Sequence, residues 1–480
     1  MNIGIVFYFL GWVLGIEGIL MILPCVVALV YREPSGFYFL GVALFCGISG
    51  WLLSHKKLKS TVFYAKEGFV AVSLSWIVLS FFGALPFFLS GEIPLLEDAL
   101  FEVISGFTTT GASVLPDVEA LSRCMLMWRS FTHWIGGMGV LVFILAVLPL
   151  AGGYNIHIMR AESPGPSVGK LVPRVRTTAK ILYLIYLFIT VVQIILLLFT
   201  GMPLFDSMAM SFGTAGTGGF GIVNSSCGDY TSLQQWIFTI FMILFGVNFN
   251  VYYLFLIRKP KDALRCEEMR GYLGIILVST LLITWNIRGM FPDILTALKH
   301  AAFQVGSIIT TTGYSTTDFD LWPGFSRTIL VCLMFIGACA GSTGGGIKVS
   351  RIAIAVKTVN KELSSLIHPR NVKVLKYEGK AIEHNVLRSI NTYLVAYILI
   401  FTVSLLLISL DNFDLTTNFT AIAATLNNIG PGLSKVGPTC NFGIFSPINK
   451  YILMFDMLAG RLELFPMLLL FTPGTWQRNK

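Results

Sequence analysis

Four short glycine signatures, each lodged between two long apolar stretches, constrain this chain more than any other feature in it. They read Thr108-Thr109-Thr110-Gly111-Ala112, Gly216-Thr217-Gly218-Gly219-Phe220, Thr310-Thr311-Thr312-Gly313-Tyr314 and Asn427-Asn428-Ile429-Gly430-Pro431. Recurrence at intervals of roughly a hundred residues means that one structural unit is repeated four times in one chain. The unit runs from an apolar span, through a short half-polar segment and the glycine signature, to a second apolar span.

The spans belong in lipid. With 55% hydrophobic residues and 12% charged, and a mean hydropathy of +0.76, the chain lacks the polar side chains to cover a water-soluble surface of this size. Windows long enough to cross a hydrocarbon core fall near 4–30, 36–54, 69–90, 126–150, 180–200, 233–257, 271–286, 327–358, 389–410 and 448–471, about ten in all. The first is too long for a signal-peptide core, so a retained helix is expected. Before each signature lies a shorter stretch, at 97–108, 204–215, 296–309 and 416–427. Each is too short to cross and suits a re-entrant helix that enters the membrane and turns back. Asp98, Asp206, His300 and Thr417 hold matching offsets before their glycines, at the water-facing ends of these helices.

Lysine and arginine cluster after alternate spans: Lys56, Lys57, Lys59 and Lys66; Arg160, Lys170, Arg174, Arg176 and Lys180; Arg258, Lys259, Lys261, Arg265 and Arg270; Arg351, Lys357, Lys361, Arg370, Lys373, Lys376, Lys380 and Arg388. By the positive-inside rule these segments and both termini are expected to be cytoplasmic, with every glycine signature near the outer face. The net charge of +9 is then topology, and scattered basic loops argue against nucleic-acid binding. Glu92, Glu97, Asp98, Glu102, Asp117, Glu119, Asp206, Asp229, Asp293, Asp318, Asp320, Asp411 and Asp414 are expected on the outer side, where acidic loops concentrate cations. The eight cysteines have no CxxC spacing, so neither zinc nor a disulfide framework is implied; whether Cys227 and Cys440 pair is open.

The signatures carry the chemistry. A dehydrated alkali cation needs a ring of oxygens in place of its water shell, and backbone carbonyls from several loops supply one. Glycine reaches the backbone angles that aim successive carbonyls the same way. Non-helical backbone at membrane depth is tolerated where it lines a water-filled cavity. The expected ring is therefore Thr109, Thr110 and Gly111; Thr217, Gly218 and Gly219; Thr311, Thr312 and Gly313; and Asn428, Ile429 and Gly430. The second and fourth copies diverge, so the ring is only approximately fourfold and should select less sharply than four identical TVGYG loops.

The eighth span is interrupted by a string holding Gly341, Ser342, Thr343, Gly344, Gly345, Gly346, Ile347 and Lys348. Clustered glycine disfavours helix, and Ile347 spoils the nucleotide-binding GxxxxGK pattern. An irregular intramembrane loop below the third signature is expected to gate the pathway. Arg461, past the middle of the last span, is a charge in a costly place that is expected to face the path or an internal partner such as Glu463 or Asp456. Arg129 and His133, between Trp128 and Trp134, read as the interface end of a span.

With these residues in place, the chain resembles the Trk/Ktr/HKT superfamily of potassium transporters. GSTGGGIK at 341–348, NIGPG at 428–432 and AGRLE at 459–463 carry the likeness, and the two extra leading spans with AESPGP at 161–166 are similar to its bacterial TrkH/TrkG branch. The resemblance implies potassium uptake at the bacterial inner membrane and a homodimer. It also implies a cytoplasmic TrkA-type regulatory subunit, through which alone NAD(H), ATP or ADP would act, with no covalently bound cofactor. It matches Gly111, Gly219, Gly313 and Gly430 to the family's filter glycines, residues 337–346 to its gating loop and Arg461 to its pore arginine. Gly111, where a serine accompanies sodium transport, favours potassium.

The expected fold is an all-α polytopic membrane protein. Residues 1–66 form a two-helix membrane segment, and pore units follow at 67–165, 166–262, 263–375 and 376–480 around a central pore. A sodium- or proton-coupled cation symporter of lower selectivity is the alternative, since filter residues do not display coupling. A polytopic membrane enzyme is remote, because the six histidines form no ligand or catalytic spacing.

Overall fold

The computed structural model describes residues 2–55, 65–137, 139, 175–369 and 374–477. Lys56, Lys57, Lys59, Arg160, Lys170, Arg174, Arg370, Lys373 and the string at 161–166 lie outside the described residues. Among the described residues, six helices are long and apolar enough to cross a membrane: Ile3–Tyr31, Gly36–Ser54, Lys66–Ser90, Ala179–Phe199, Glu267–Ile287 and His384–Asp411. Their outward faces carry Leu29, Phe37, Phe188, Phe199, Leu277, Trp285, Leu399 and Leu406, all exposed. Threonine, asparagine and glutamine side chains are buried inside. This inverts the usual arrangement of a water-soluble protein, and the chain is a multi-pass membrane protein.

The four re-entrant helices are present at Leu96–Phe107, Leu204–Gly216, Ile294–Ile309 and Leu415–Leu426, within two residues of their expected bounds. The third and fourth are capped by Asp293 and Asp414, which accept the N–H of Thr296 and Thr417. The first two have no side-chain cap. His300 is buried and bonded to Thr316 rather than facing water at a helix entrance.

Of the span expected at 126–150 only the start, in helix Arg123–Gly137, is described, and the remainder lies largely outside the described residues. The second spans of the other three units depart from a straight crossing, and only one of these breaks is expected from the sequence. As expected, helices Gly324–Ile336 and Val349–Ile367 flank the irregular segment 337–348. The span expected at 233–257 also breaks, into Ser232–Phe245 and Phe249–Leu256 at 88°, and the Asn248 side chain caps the second piece through the N–H of Asn250. The last span breaks between Pro447–Arg461 and Phe465–Phe471, where Glu463 and Leu464 take left-handed angles. Pro466, which needs no amide partner, opens the second piece. Among the described residues the all-helical expectation meets one small exception: Lys376–Tyr377 and Lys380–Ala381 form an antiparallel hairpin.

Candidate functional site

All four re-entrant helices end in the same way, and that ending builds the site. Thr109, Thr217, Thr311 and Asn428 have left-handed φ of 55°, 54°, 59° and 55°. Their N–H groups return to Gly106, Thr214, Ile308 and Thr425 at 3.0–3.1 Å, while those of Thr110, Gly218, Thr312 and Ile429 reach five residues back, to Ser105, Gly213, Ser307 and Ala424, at 2.8–2.9 Å. This pair of bonds is the Schellman helix stop, whose left-handed position normally falls to glycine or asparagine. Three of the four positions hold threonine, a β-branched residue for which that angle is a genuine strain. From the sequence, only glycine is expected at such angles. The glycines follow two residues later, with φ of 78°, 81°, 90° and 99° at Gly111, Gly219, Gly313 and Gly430.

The alternation folds each loop against the next. A Cβ on Gly111 would lie 2.0 Å from the Gly218 carbonyl oxygen, one on Gly219 1.9 Å from that of Thr312, one on Gly313 2.0 Å from that of Ile429, and one on Gly430 2.7 Å from that of Thr110. First meets second, second meets third, third meets fourth and fourth meets first, so the loops close a ring in which each glycine abuts a backbone oxygen of the next loop. The helix C-termini converge on it, and their carbonyl ends present partial negative charge. Above the ring the walls are joined in the same order. Val118 donates to Asn224, Cys227 to Ser315, Ser434 to Asp320 and Phe442 to Ser113. They enclose a cavity of about 170 Å³ whose floor includes all four glycines. Cys227 is buried, Cys440 is exposed and both are free.

Behind the ring the threonines act as struts. Thr108 and Thr310 donate to Ile104 and Gly306 one turn back and meet the hydroxyls of Thr110 and Thr312 at 2.8 and 2.7 Å. Asn428 bonds Thr110 Oγ1 and the Met457 carbonyl, linking the fourth loop to the first and to the last span.

Three residues expected at the surface belong to this support. Glu102 is buried, pairs with Arg129 at 2.5 Å, and accepts from Ser113 and the N–H of Val114. Arg129 also donates to the Gly221 carbonyl and lies 3.6 Å from the Phe220 ring centre. His133 is buried, and its Nε2 accepts from the Phe220 N–H, so Nδ1 carries the proton it donates to Gly106. Its ring fills the space a Cβ on Gly218 would need, 2.2 Å away. Arg129 and His133 stand four apart on one helix, hence on one face, and both grip the second loop. That spacing was the available signal, and the flanking tryptophans masked it.

The segment 337–348 packs directly under the ring. The Gly345 N–H donates to Thr311 Oγ1 at 2.6 Å, and Cβ atoms on Gly344 and Gly345 would lie 2.8 Å from the Thr310 oxygen and 2.5 Å from the Asn427 oxygen. Gly341 accepts from the N–H of Phe249, Ser342 bonds Cys339, and Thr343 bonds Phe245. Gly346 and Lys348 take left-handed angles, and the Lys348 ammonium turns back onto the carbonyls of Gly344 and Gly345. Arg461 meets the loop, donating to Thr343 O at 2.9 Å and to Gly136 and Gly137 O at 2.5 and 3.0 Å. The two acids weighed as its partners are engaged elsewhere: Glu463 with Arg351 and Asp456 with Ser404.

Sequence comparison matches residues 36–287 and 290–477 to the family described as TrkH, cation transport protein. The Trk system potassium uptake protein TrkH of Salmonella typhimurium is 40% identical over 470 residues, spanning 95% of this chain and 96% of that one. The Trk system potassium uptake protein TrkG of Escherichia coli is 33% identical over 485 residues, spanning 99% of each. The crystal structure of the potassium transporter TrkH from Vibrio parahaemolyticus aligns with a TM-score of 0.89 at 33% identity, covering 99% of this chain and 100% of that one. Four re-entrant loops closed into a carbonyl ring above a glycine-rich loop, in a chain matched over nearly its whole length, make this protein a member of the TrkH family of cation transport proteins.

Proposed function

We propose that this protein takes up potassium across the bacterial inner membrane, with both termini cytoplasmic. Ions shed water at the ring formed by Thr109 to Gly111, Thr217 to Gly219, Thr311 to Gly313 and Asn428 to Gly430, and the loop from Gly341 to Lys348, with Arg461, controls flow below it. The observation that carries this reading is the cyclic closure, in which each glycine lies against the neighbouring loop's carbonyl. A ring built that way holds its oxygens by backbone packing, and oxygen number and spacing are what discriminate among alkali cations. The potassium in the names of its relatives supports the choice of ion. The working unit is a homodimer with a cytoplasmic TrkA-type subunit. NAD(H), ATP or ADP acts through that subunit, since no strand-turn-helix nucleotide fingerprint occurs in the sequence.

Rubidium-86 uptake into proteoliposomes, with potassium, sodium and lithium as competitors, tests the proposal. Potassium should block uptake at far lower concentration than sodium, and equal competition would overturn the assignment.

A further inference from the structure

The glycine-rich loop is tied at its neck by one side chain, that of Glu268. The N–H of Ala340, just before Gly341, and the N–H of Ser350, two residues after Lys348, both donate to the same oxygen of Glu268, Oε1, at 2.7 and 3.2 Å. The other oxygen receives Asn248 Nδ2 at 3.5 Å, from the break in the neighbouring span. Glu268 is buried, and removing it would leave both amide hydrogens without their acceptor, which is costly.

Glu268 opens helix Glu267–Ile287, and that helix start is held in turn from the cytoplasmic side. The backbone N–H of Glu268 and the Cys266 thiol both reach Glu378 Oε1, at 3.0 and 3.3 Å. Glu378 is exposed and sits at the tip of the hairpin formed by Lys376–Tyr377 and Lys380–Ala381. Lys357 braces the same junction, bonding Glu267 at 2.5 Å and the Lys376 carbonyl at 3.1 Å. An exposed hairpin is thus two hydrogen-bonded steps from both flanks of the loop.

We propose that Glu268 is the latch that holds the glycine-rich loop across the pathway, and that the 376–381 hairpin is the handle by which a cytoplasmic protein partner releases it. Displacing the hairpin withdraws Glu378 from the helix start, shifts Glu268 and frees both ends of the loop together. Glu268 acts as a positioning residue. The inference rests on the reading of this loop as the gate.

The test measures rubidium-86 uptake by the full chain alone, together with the labelling rate of Cys339, a buried free cysteine at the loop neck, mapped by mass spectrometry. A variant lacking Thr343, Gly344 and Gly345 reports on the gate itself. Glu268→Ala and Glu378→Ala are each expected to raise uptake and Cys339 labelling several-fold with the potassium-to-sodium preference unchanged. The double variant should go no higher than Glu268→Ala. Glu268→Gln, which keeps one acceptor oxygen, should stay near wild type. Glu378→Ala alters an exposed side chain, so the test survives if the Glu268 variant fails to fold. A loop deletion that raises uptake while both glutamate variants leave it unchanged would overturn the latch alone. A loop deletion without effect would overturn the gate and the latch with it.

Discussion

Placing a methyl group on Gly313 perturbs the ring at its tightest kind of contact. The new Cβ would stand 2.0 Å from the Ile429 oxygen and 3.0 Å from Pro431 Cδ, at a φ of +90°. The strained backbone angle alone costs about 1–3 kcal/mol, and overpacking a closed core about as much again. To regain contact distance the Ile429 oxygen must retreat by about 1 Å, and backbone geometry is what sets the ring's oxygen spacing. If only about 1.4 kcal/mol of the total reaches the ion, discrimination falls tenfold. Gly313→Ala should therefore lower the ratio of sodium to potassium concentrations needed to half-block rubidium uptake by at least about tenfold. Gly111→Ala and Gly219→Ala, with would-be contacts of 2.0 and 1.9 Å, should match it, and Gly430→Ala, at 2.7 Å, should lose less. Gly274→Ala is the control. No atom lies within 4 Å of its would-be Cβ, and in a helix interior that change is expected to stabilise by about 0.5–1 kcal/mol. Wild-type selectivity in Gly313→Ala, or an equal loss in Gly274→Ala, would show that the glycine contacts do not set the oxygen spacing.

Breaking the buried Glu102–Arg129 pair from one side should cost about 3–5 kcal/mol, so Arg129→Met should lower the melting temperature more than the double change Glu102→Gln with Arg129→Met, which differential scanning fluorimetry would read. Arg461→Ala removes a charge bonded to Thr343 and to Gly136 and Gly137 and should raise partner-independent uptake several-fold without altering ion preference; unchanged flux would count against its place in the pathway. Bonds from the Thr417 hydroxyl and N–H hold the Asp414 carboxyl below its ordinary value of 3.8. A depressed carboxylate contributes stability that is full above the unfolded value and is lost as pH falls through the folded one. Melting curves taken from about pH 5 downward should therefore fall less steeply for Asp414→Asn than for wild type.

The repeat was legible because each copy keeps a glycine after a half-polar segment of similar length, and the four re-entrant helices fell within two residues of expectation. The interruption at 337–348 was legible because glycine clusters there. Breaks without such a cluster were not: at 246–248 the cue is one capping asparagine, and at 462–464 it is left-handed Glu463 and Leu464, which no propensity predicts. The threonines at the helix stops were not legible as such, because a β-branched residue is the last one expected to take left-handed angles. Glu102 was read as a solvated acid because its partner, Arg129, comes from another helix, 27 residues on. Glu268 was passed over for a similar reason. Its partners, Ala340 and Ser350, lie 72 and 82 residues away and contribute only backbone N–H groups, which leave no trace in side-chain patterns.

The most direct test of the ring is diffraction from crystals grown in rubidium, with anomalous difference maps collected at the rubidium edge. Peaks on the axis between the carbonyls of Thr110, Gly218, Thr312 and Ile429, displaced when sufficient potassium is added and retained when sodium is added, are the predicted result. Rubidium bound elsewhere along the bundle with the ring empty, or peaks that sodium displaces as readily as potassium, would mean that the ring is not the potassium filter.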